Sequence, residues 1–157
     1  MIELFHTSPQ KITEPDTRHS RTNLDFGRGF HLTSFKDQAI RYAGRFSDRY
    51  DTIWMNTYAL KEDWTGWKVA IFDSYDEKWL DFVTACRMEQ DNSDYDMVVG
   101  GVADDRVFET IDLYFAGLMP KEIALERLAF IHPNIQYCIR SEQMLHDCLT
   151  YKSSIKL

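Results

Sequence analysis

The stretch Phe26-Gly27-Arg28-Gly29-Phe30-His31-Leu32-Thr33 constrains this chain more than any other. Its two glycines mark a turn, because glycine reaches backbone angles closed to other residues. Gly29 to Thr33 then reads as a strand entered through that turn. Two distant segments have the same make-up, a short apolar run beside polar groups: Leu4-Phe5-His6-Thr7-Ser8 and Ile135-Gln136-Tyr137-Cys138-Ile139. Strands near both ends of the chain let residues from the first and last strands share one cleft.

The rest of the sequence is that of an ordinary globular protein. Its 157 residues imply a single domain over 1–157, long enough to bury a core. Hydrophobic residues make up 44%, too many for a disordered chain. A net charge of -7 argues against generic DNA coating and against adsorption to anionic membranes, though it leaves room for a local basic groove. Cys86, Cys138 and Cys148 are odd in number and lack CxxC spacing, so they read as reduced core cysteines. No metal-ligand spacing links His132 or His146 to any Cys or acid, and no metal is expected. Without a signal peptide or membrane span in view, cytoplasmic is the default location.

The pattern along the chain predicts an α+β fold. Ile2–Phe5 is a strand, residues 9–24 a polar loop, and Ser34 with Asp37 a capping-box-like start to a helix reaching about Phe46. Ile53–Leu60 and Lys68–Phe72 are strands, with a turn at Asp63–Trp67. Asp76–Met88 is an amphipathic helix with Trp79, Phe82, Val83 and Cys86 on one face. Met97–Ala103 reads as a buried strand broken by Gly100-Gly101. Arg106–Ala116 and Pro120–Leu128 are helices, with Asp104-Asp105 supplying the N-cap and first-turn charge of the former. Ile135–Arg140 is a strand, Glu142–Leu149 a helix, and the tail after Tyr151 is frayed.

The three motifs together resemble the signature of the ADP-ribosyltransferases of the diphtheria-toxin and poly-ADP-ribose-polymerase type. His6-Thr7-Ser8 is similar to their first-strand histidine motif, where Gly follows His. Gly27-Arg28-Gly29-Phe30-His31 is similar to their Gly-basic-Gly-apolar-Tyr segment, and Tyr42 falls at the spacing of a second family aromatic. Gln136-Tyr137-Cys138-Ile139 resembles the strand carrying their glutamate. The chain as a whole also looks like a bacterial family of uncharacterised function placed in that superfamily, DUF3990. The Asp96–Asp105 and Trp79–Val83 runs carry that closer likeness.

The resemblance implies a split β-sandwich with flanking helices that takes NAD as substrate. Nicotinamide leaves through an oxocarbenium-like ribose, so such an enzyme chiefly positions the dinucleotide and stabilises developing charge. By the same resemblance His6 binds a ribose hydroxyl and the Thr7 backbone clamps the carboxamide. Ser8, Arg28, Phe30 and His31 line the cofactor, Tyr42 stacks on the nicotinamide, and Gly27 and Gly29 let the main chain approach it. His31 stands where the family has Tyr. Gln136 stands where it has Glu, and offers an amide acceptor without a carboxylate. Catalysis is thus expected of His6, His31 and Gln136.

Arg18, Arg21 and Arg28 flank the glycine turn and read either as binders of the NAD pyrophosphate or a nucleic-acid phosphate, or as a solvated loop. The function implied is mono-ADP-ribosylation of a protein or nucleic-acid acceptor by a toxin or defence effector held by a cognate antitoxin. The alternative is a module of the same fold that binds NAD, ADP-ribose or a partner without catalysis. A third reading, an RNA 2′-phosphotransferase-like enzyme, needs an arginine cluster for which only Arg28 and Arg41 are in view.

Overall fold

Strand alternation sorts the apolar residues of this chain between two cores. The computed structural model describes residues 1–22 and 24–157, apart from the Asp105 side chain. In chain order the elements are β1 (Ile2–Ser8), β2 (Phe30–Thr33), α1 (Lys36–Tyr42, tightening into a 3-10 turn at Ala43–Arg45), β3 (Trp54–Leu60) and β4 (Val69–Phe72). They continue with α2 (Glu77–Arg87), β5 (Met97–Gly101), α3 (Asp105–Phe115), α4 (Lys121–Leu128), β6 (Ile135–Ile139), α5 (Glu142–Cys148) and β7 (Leu149–Lys156). The seven strands form one mixed sheet in the order β4-β5-β6-β2-β1-β3-β7, parallel between β4 and β5 and antiparallel elsewhere. The protein is a single α+β domain. No helix among the described residues is long and apolar enough to cross a membrane.

One face of β4, β5 and β6 presents Ala70, Val98 and Cys138 to α2, α3 and α4, where Trp79, Val83, Ile111 and Leu128 complete the core. Residues of the opposite parity, Met97, Val99 and Ile139, join Leu4, Leu32, Tyr58, Leu60 and the apolar side of α5 in a second core. That core draws on strands from both halves of the sheet, lying along one face from β5 to β7. Because β5 is buried on both faces, it reads as a continuous apolar run. A small third cluster, Phe5, Ala39 and Met55, seats α1 on β1 and β3.

The joins in this sheet are unequal. Between β1 and β3 seven residue pairs are in register, from Ile2–Leu60 to Ser8–Trp54. Between β2 and β6 there are four, from Phe30–Ile139 to Thr33–Gln136. Between β1 and β2 there is one, Phe5–Thr33. The sheet is hydrogen-bonded throughout but nearly parted at its centre.

Several sequence expectations need correction. The cap of α1 is not Ser34: Phe35 occupies the N-cap without a side-chain bond. Thr33 Oγ1, at the end of β2, ties to the helix start without capping it, accepting from Phe35 N at 3.1 Å and donating to Gln38 Oε1 at 2.8 Å. Strand β5 is not broken by Gly100-Gly101 but runs through both. A Cβ on Gly101 would lie 2.5 Å from the Tyr75 ring, so the glycine makes room for an aromatic. Asp104 caps α3 as expected, accepting from Arg106 N, whereas the Asp105 side chain lies outside the described residues. The 9–22 segment and Leu24 hold no regular element, as expected, and Asn23 lies outside the described residues. The three cysteines are buried and unpaired.

The largest correction is the C-terminal tail, which is strand β7 and not a frayed end. It pairs with β3 from Leu60–Leu149 to Trp54–Lys156 around one bulge. Leu149 and Tyr151 pack into the second core, and Ser154 Oγ donates to the buried Asn56 Oδ1 at 2.6 Å. Deleting residues 149–157 is therefore expected to cost about 3 kcal/mol or more, since it removes a buried Leu and bares the edge of β3. Chemical denaturation of the truncated chain checks this, and slow amide exchange across β7 in the intact chain should accompany it.

Candidate functional site

The three segments singled out in the sequence become three adjacent strands, β6, β2 and β1, at the centre of the sheet. Nothing in their chain positions requires this. It follows from β2 accepting β6 on one side and β1 on the other.

His6 is fixed where the sheet is weakest. Its Nδ1 lies 2.6 Å from the His31 carbonyl oxygen. A carbonyl only accepts, so Nδ1 carries the proton and Nε2 is left with its lone pair. The ring stacks on Phe30, centroids 4.3 Å apart. Burial lowers the His6 pKa below its ordinary 6.5, against the opposing pull of the His31 carbonyl. The imidazole is thus neutral at pH 7, with its acceptor nitrogen defined.

His31 projects the other way from β2 than Phe30, by strand alternation. The two imidazoles are therefore joined through the β2 main chain and do not face each other. His31 is half-buried. Its pKa falls to about 4, mainly through desolvation and secondarily through His6, with Asp25 and a Gly29 backbone contact opposing. Its Nε2 is buried and has no hydrogen-bond partner among the described residues. A native protein usually satisfies such an atom with a partner, water or ligand.

Gln136 pairs with Thr33 on β2 and with Gly100 on β5, so its side chain shares a face with Thr33 and His31. It is half-buried. Strand parity places His6 on the other face, with Leu4 and Phe30. The strands of His6 and Gln136 are separated by β2, so the two side chains do not share one cleft as the sequence suggested but lie on opposite faces of the sheet.

The neighbouring predictions divide. Thr7 and Ser8 are buried and their hydroxyls serve the fold: Thr7 Oγ1 donates to the Ala39 carbonyl of α1 at 2.6 Å, and Ser8 Oγ accepts from Gln10 N at 3.2 Å. Their backbone lies past the single β1–β2 pair. The two glycines are explained without a ligand. Gly27 has φ +77, open to few other residues, and a Cβ on Gly29 would lie 2.5 Å from Cys138 Sγ and 2.8 Å from the Ile139 carbonyl. Tyr42 is exposed on α1, edge-on to Phe46 and beneath Arg45. Arg28 is exposed at the mouth of a cavity of about 280 Å³ that Gly27, Cys86, Glu89, Asp91 and Arg140 also line. Arg18 pairs with Asp16, and Arg21 is exposed.

Two supporting residues were missed. Asn56, opposite His6 on β3, is fully buried: its amide donates to the carbonyls of His6 and Gln10, and its oxygen accepts from Ile12 N. Asp25, just before the glycine turn, accepts from Arg87 Nε at 2.7 Å and Ala103 N at 3.1 Å, tying that turn to α2 and to the start of α3. A polar residue amid the apolar run of β3 was the only sequence signal for Asn56. For Asp25 there was none, because both partners are remote in sequence.

The chain belongs to the DUF3990 family, described as a protein of unknown function, whose model matches residues 2–151. No curated protein and no solved structure matches the chain.

Two measurements check this geometry. Gly29→Ala should destabilise by about 1–3 kcal/mol through overpacking against β6, read by denaturation. For His31, unfolded chains take up the proton near 6.5 and the folded protein only near 4. Its contribution to stability is therefore whole above pH 6.5 and is lost progressively as pH falls toward 4. The difference in melting temperature between the natural chain and His31→Asn should change across that window.

Proposed function

We propose that this protein is an NAD-dependent mono-ADP-ribosyltransferase, acting in the cytoplasm as a bacterial toxin or phage-defence effector restrained by an antitoxin. One observation carries the reading. The three motifs that resemble the transferase signature lie on adjacent strands, at a join where the sheet has nearly parted. An opening of this kind between β1 and β2 is what a split β-sandwich needs. It leaves backbone of residues 6–8 outside the β1–β2 register, able to meet a carboxamide.

In this reading His6 Nε2, an acceptor held by the His31 carbonyl, takes a hydrogen bond from a ribose hydroxyl of NAD. The neutral His31 ring, with its unpartnered Nε2, lines the nicotinamide end in place of tyrosine. Gln136 lies on the opposite face of the sheet from His6, so for it to accept from the hydroxyl of the reacting ribose the dinucleotide must pass through the gap between β1 and β2. The reaction breaks the bond to nicotinamide, which departs with the bonding electrons, and an acceptor nucleophile on a protein or nucleic acid joins the ribose carbon and gives up its proton. Gln136 has no carboxylate to act as a base or to balance cationic charge, so transfer stops at one unit.

That missing carboxylate also supports a second reading, a domain that binds NAD or ADP-ribose without cleaving it. Titration with NAD followed by an assay for free nicotinamide separates the two, since the second reading gives binding without release. For the transferase, His6→Ala and Gln136→Ala should each lower nicotinamide release roughly 100-fold with the fold intact. Gln136→Glu should raise NAD hydrolysis. Full release by both alanine variants would show that the site has been misassigned.

A further inference from the structure

We propose that the outer face of α1 and the segment after it, residues 35–50, is a docking strip for single-stranded nucleic acid, and that this strand is the acceptor. The proposal rests on the transferase reading above and names its substrate class. Three observations converge on it.

The first is charge. The chain carries a net -7, yet this segment holds Lys36, Arg41, Arg45 and Arg49 against only Asp37 and Asp48. All four cations are exposed. The ion pairs of the described residues lie elsewhere, as between Arg87 and Asp25 or Arg140 and Asp91. A cationic strip on an acidic protein complements a phosphate backbone while the remaining surface repels it.

The second is the aromatic ladder threaded through those arginines. Tyr42 meets Phe46 at 5.6 Å between ring centroids, and Phe46 meets Tyr50 at 6.2 Å, both edge-on. Arg45 lies 4.8 Å over the Tyr42 ring. Tyr42 and Tyr50 are 44% and 47% exposed. Planar rings alternating with guanidinium groups are what unpaired bases stack upon, and a duplex offers no free base faces.

The third is position. The inner side of α1 is fastened to the candidate site: Ala39 packs with Phe5 and Met55, its carbonyl accepts from Thr7 Oγ1, and Gln38 accepts from Thr33 Oγ1. The strip therefore begins within a helical turn of the end of β2. A strand lying along it passes beside the residues proposed to hold the reacting ribose. Stacking and phosphate contacts of this kind read little sequence, so the strip positions a strand and leaves base choice to the cleft.

The test is fluorescence anisotropy of the full chain with labelled oligo(U) RNA and oligo(dT) DNA, each roughly 12 nucleotides to cover such a site. Both single strands are compared with a duplex of the same length, without NAD. Either single strand should bind better than duplex, and the tighter of the two identifies the acceptor as RNA or DNA. The variant Arg41→Glu/Arg45→Glu/Arg49→Glu should raise Kd at least roughly tenfold and flatten its salt dependence. Tyr42→Ala/Tyr50→Ala should raise Kd roughly fivefold or more while keeping the salt dependence. Both variants change exposed side chains and should keep the circular dichroism of the natural chain. The proposal is overturned by preference for duplex, by binding unchanged in both variants, or by a chain that binds no oligonucleotide and passes label from NAD to a protein instead. The binding assay contains no NAD, so failure of the nicotinamide assay and failure of this proposal are told apart.

Discussion

The four-residue strand β2 holds the middle of this molecule. On one side it pairs along its whole length with β6; on the other it meets β1 at a single residue pair. The hydrogen bond from His6 to the His31 carbonyl crosses that second join and adds a side-chain tie where the main-chain ladder ends. Both joins need β2 to lie close against β6, and that approach depends on Gly29 having no side chain. One small residue thus sets the seating of the strand through which the candidate site is assembled.

The site is built around polar groups committed to the fold. Thr7 fastens β1 to α1, Thr33 ties the end of β2 to the start of α1, and Asn56 gathers His6, Gln10, Ile12 and β7 around one buried amide. Buried polar groups of this kind are expensive when unsatisfied and rigid when satisfied. Beside them the His31 Nε2 is buried with no hydrogen-bond partner among the described residues.

The same logic bears on the surface. The face of α1 that looks inward is small and apolar at Ala39, while its other faces and the segment after it carry arginines and exposed rings. A segment whose only task was to cover the sheet would gain nothing from exposing Tyr42 and Tyr50. Its contacts with β1 and β2 place the proposed docking strip beside the candidate site.

Much of the secondary structure was legible in the chain itself. Helical spacing of Trp79, Val83 and Cys86 marked the buried face of α2, Asp104 marked the start of α3, and the glycine turn marked β2, because each is governed by neighbours within a few residues. The three motifs of the candidate site were legible for the same reason. Strand order, the near-parting between β1 and β2, the true purpose of Gly29 and the tautomer of His6 were decided only in three dimensions, since each depends on a partner far along the chain. Strand β7 shows the limit best. Its exposed lysines and serines look like a loose end, and only the edge of β3 and the buried Asn56 give those residues a partner. Local sequence fixes what a segment can become, and packing between distant segments selects which of those options is stabilised.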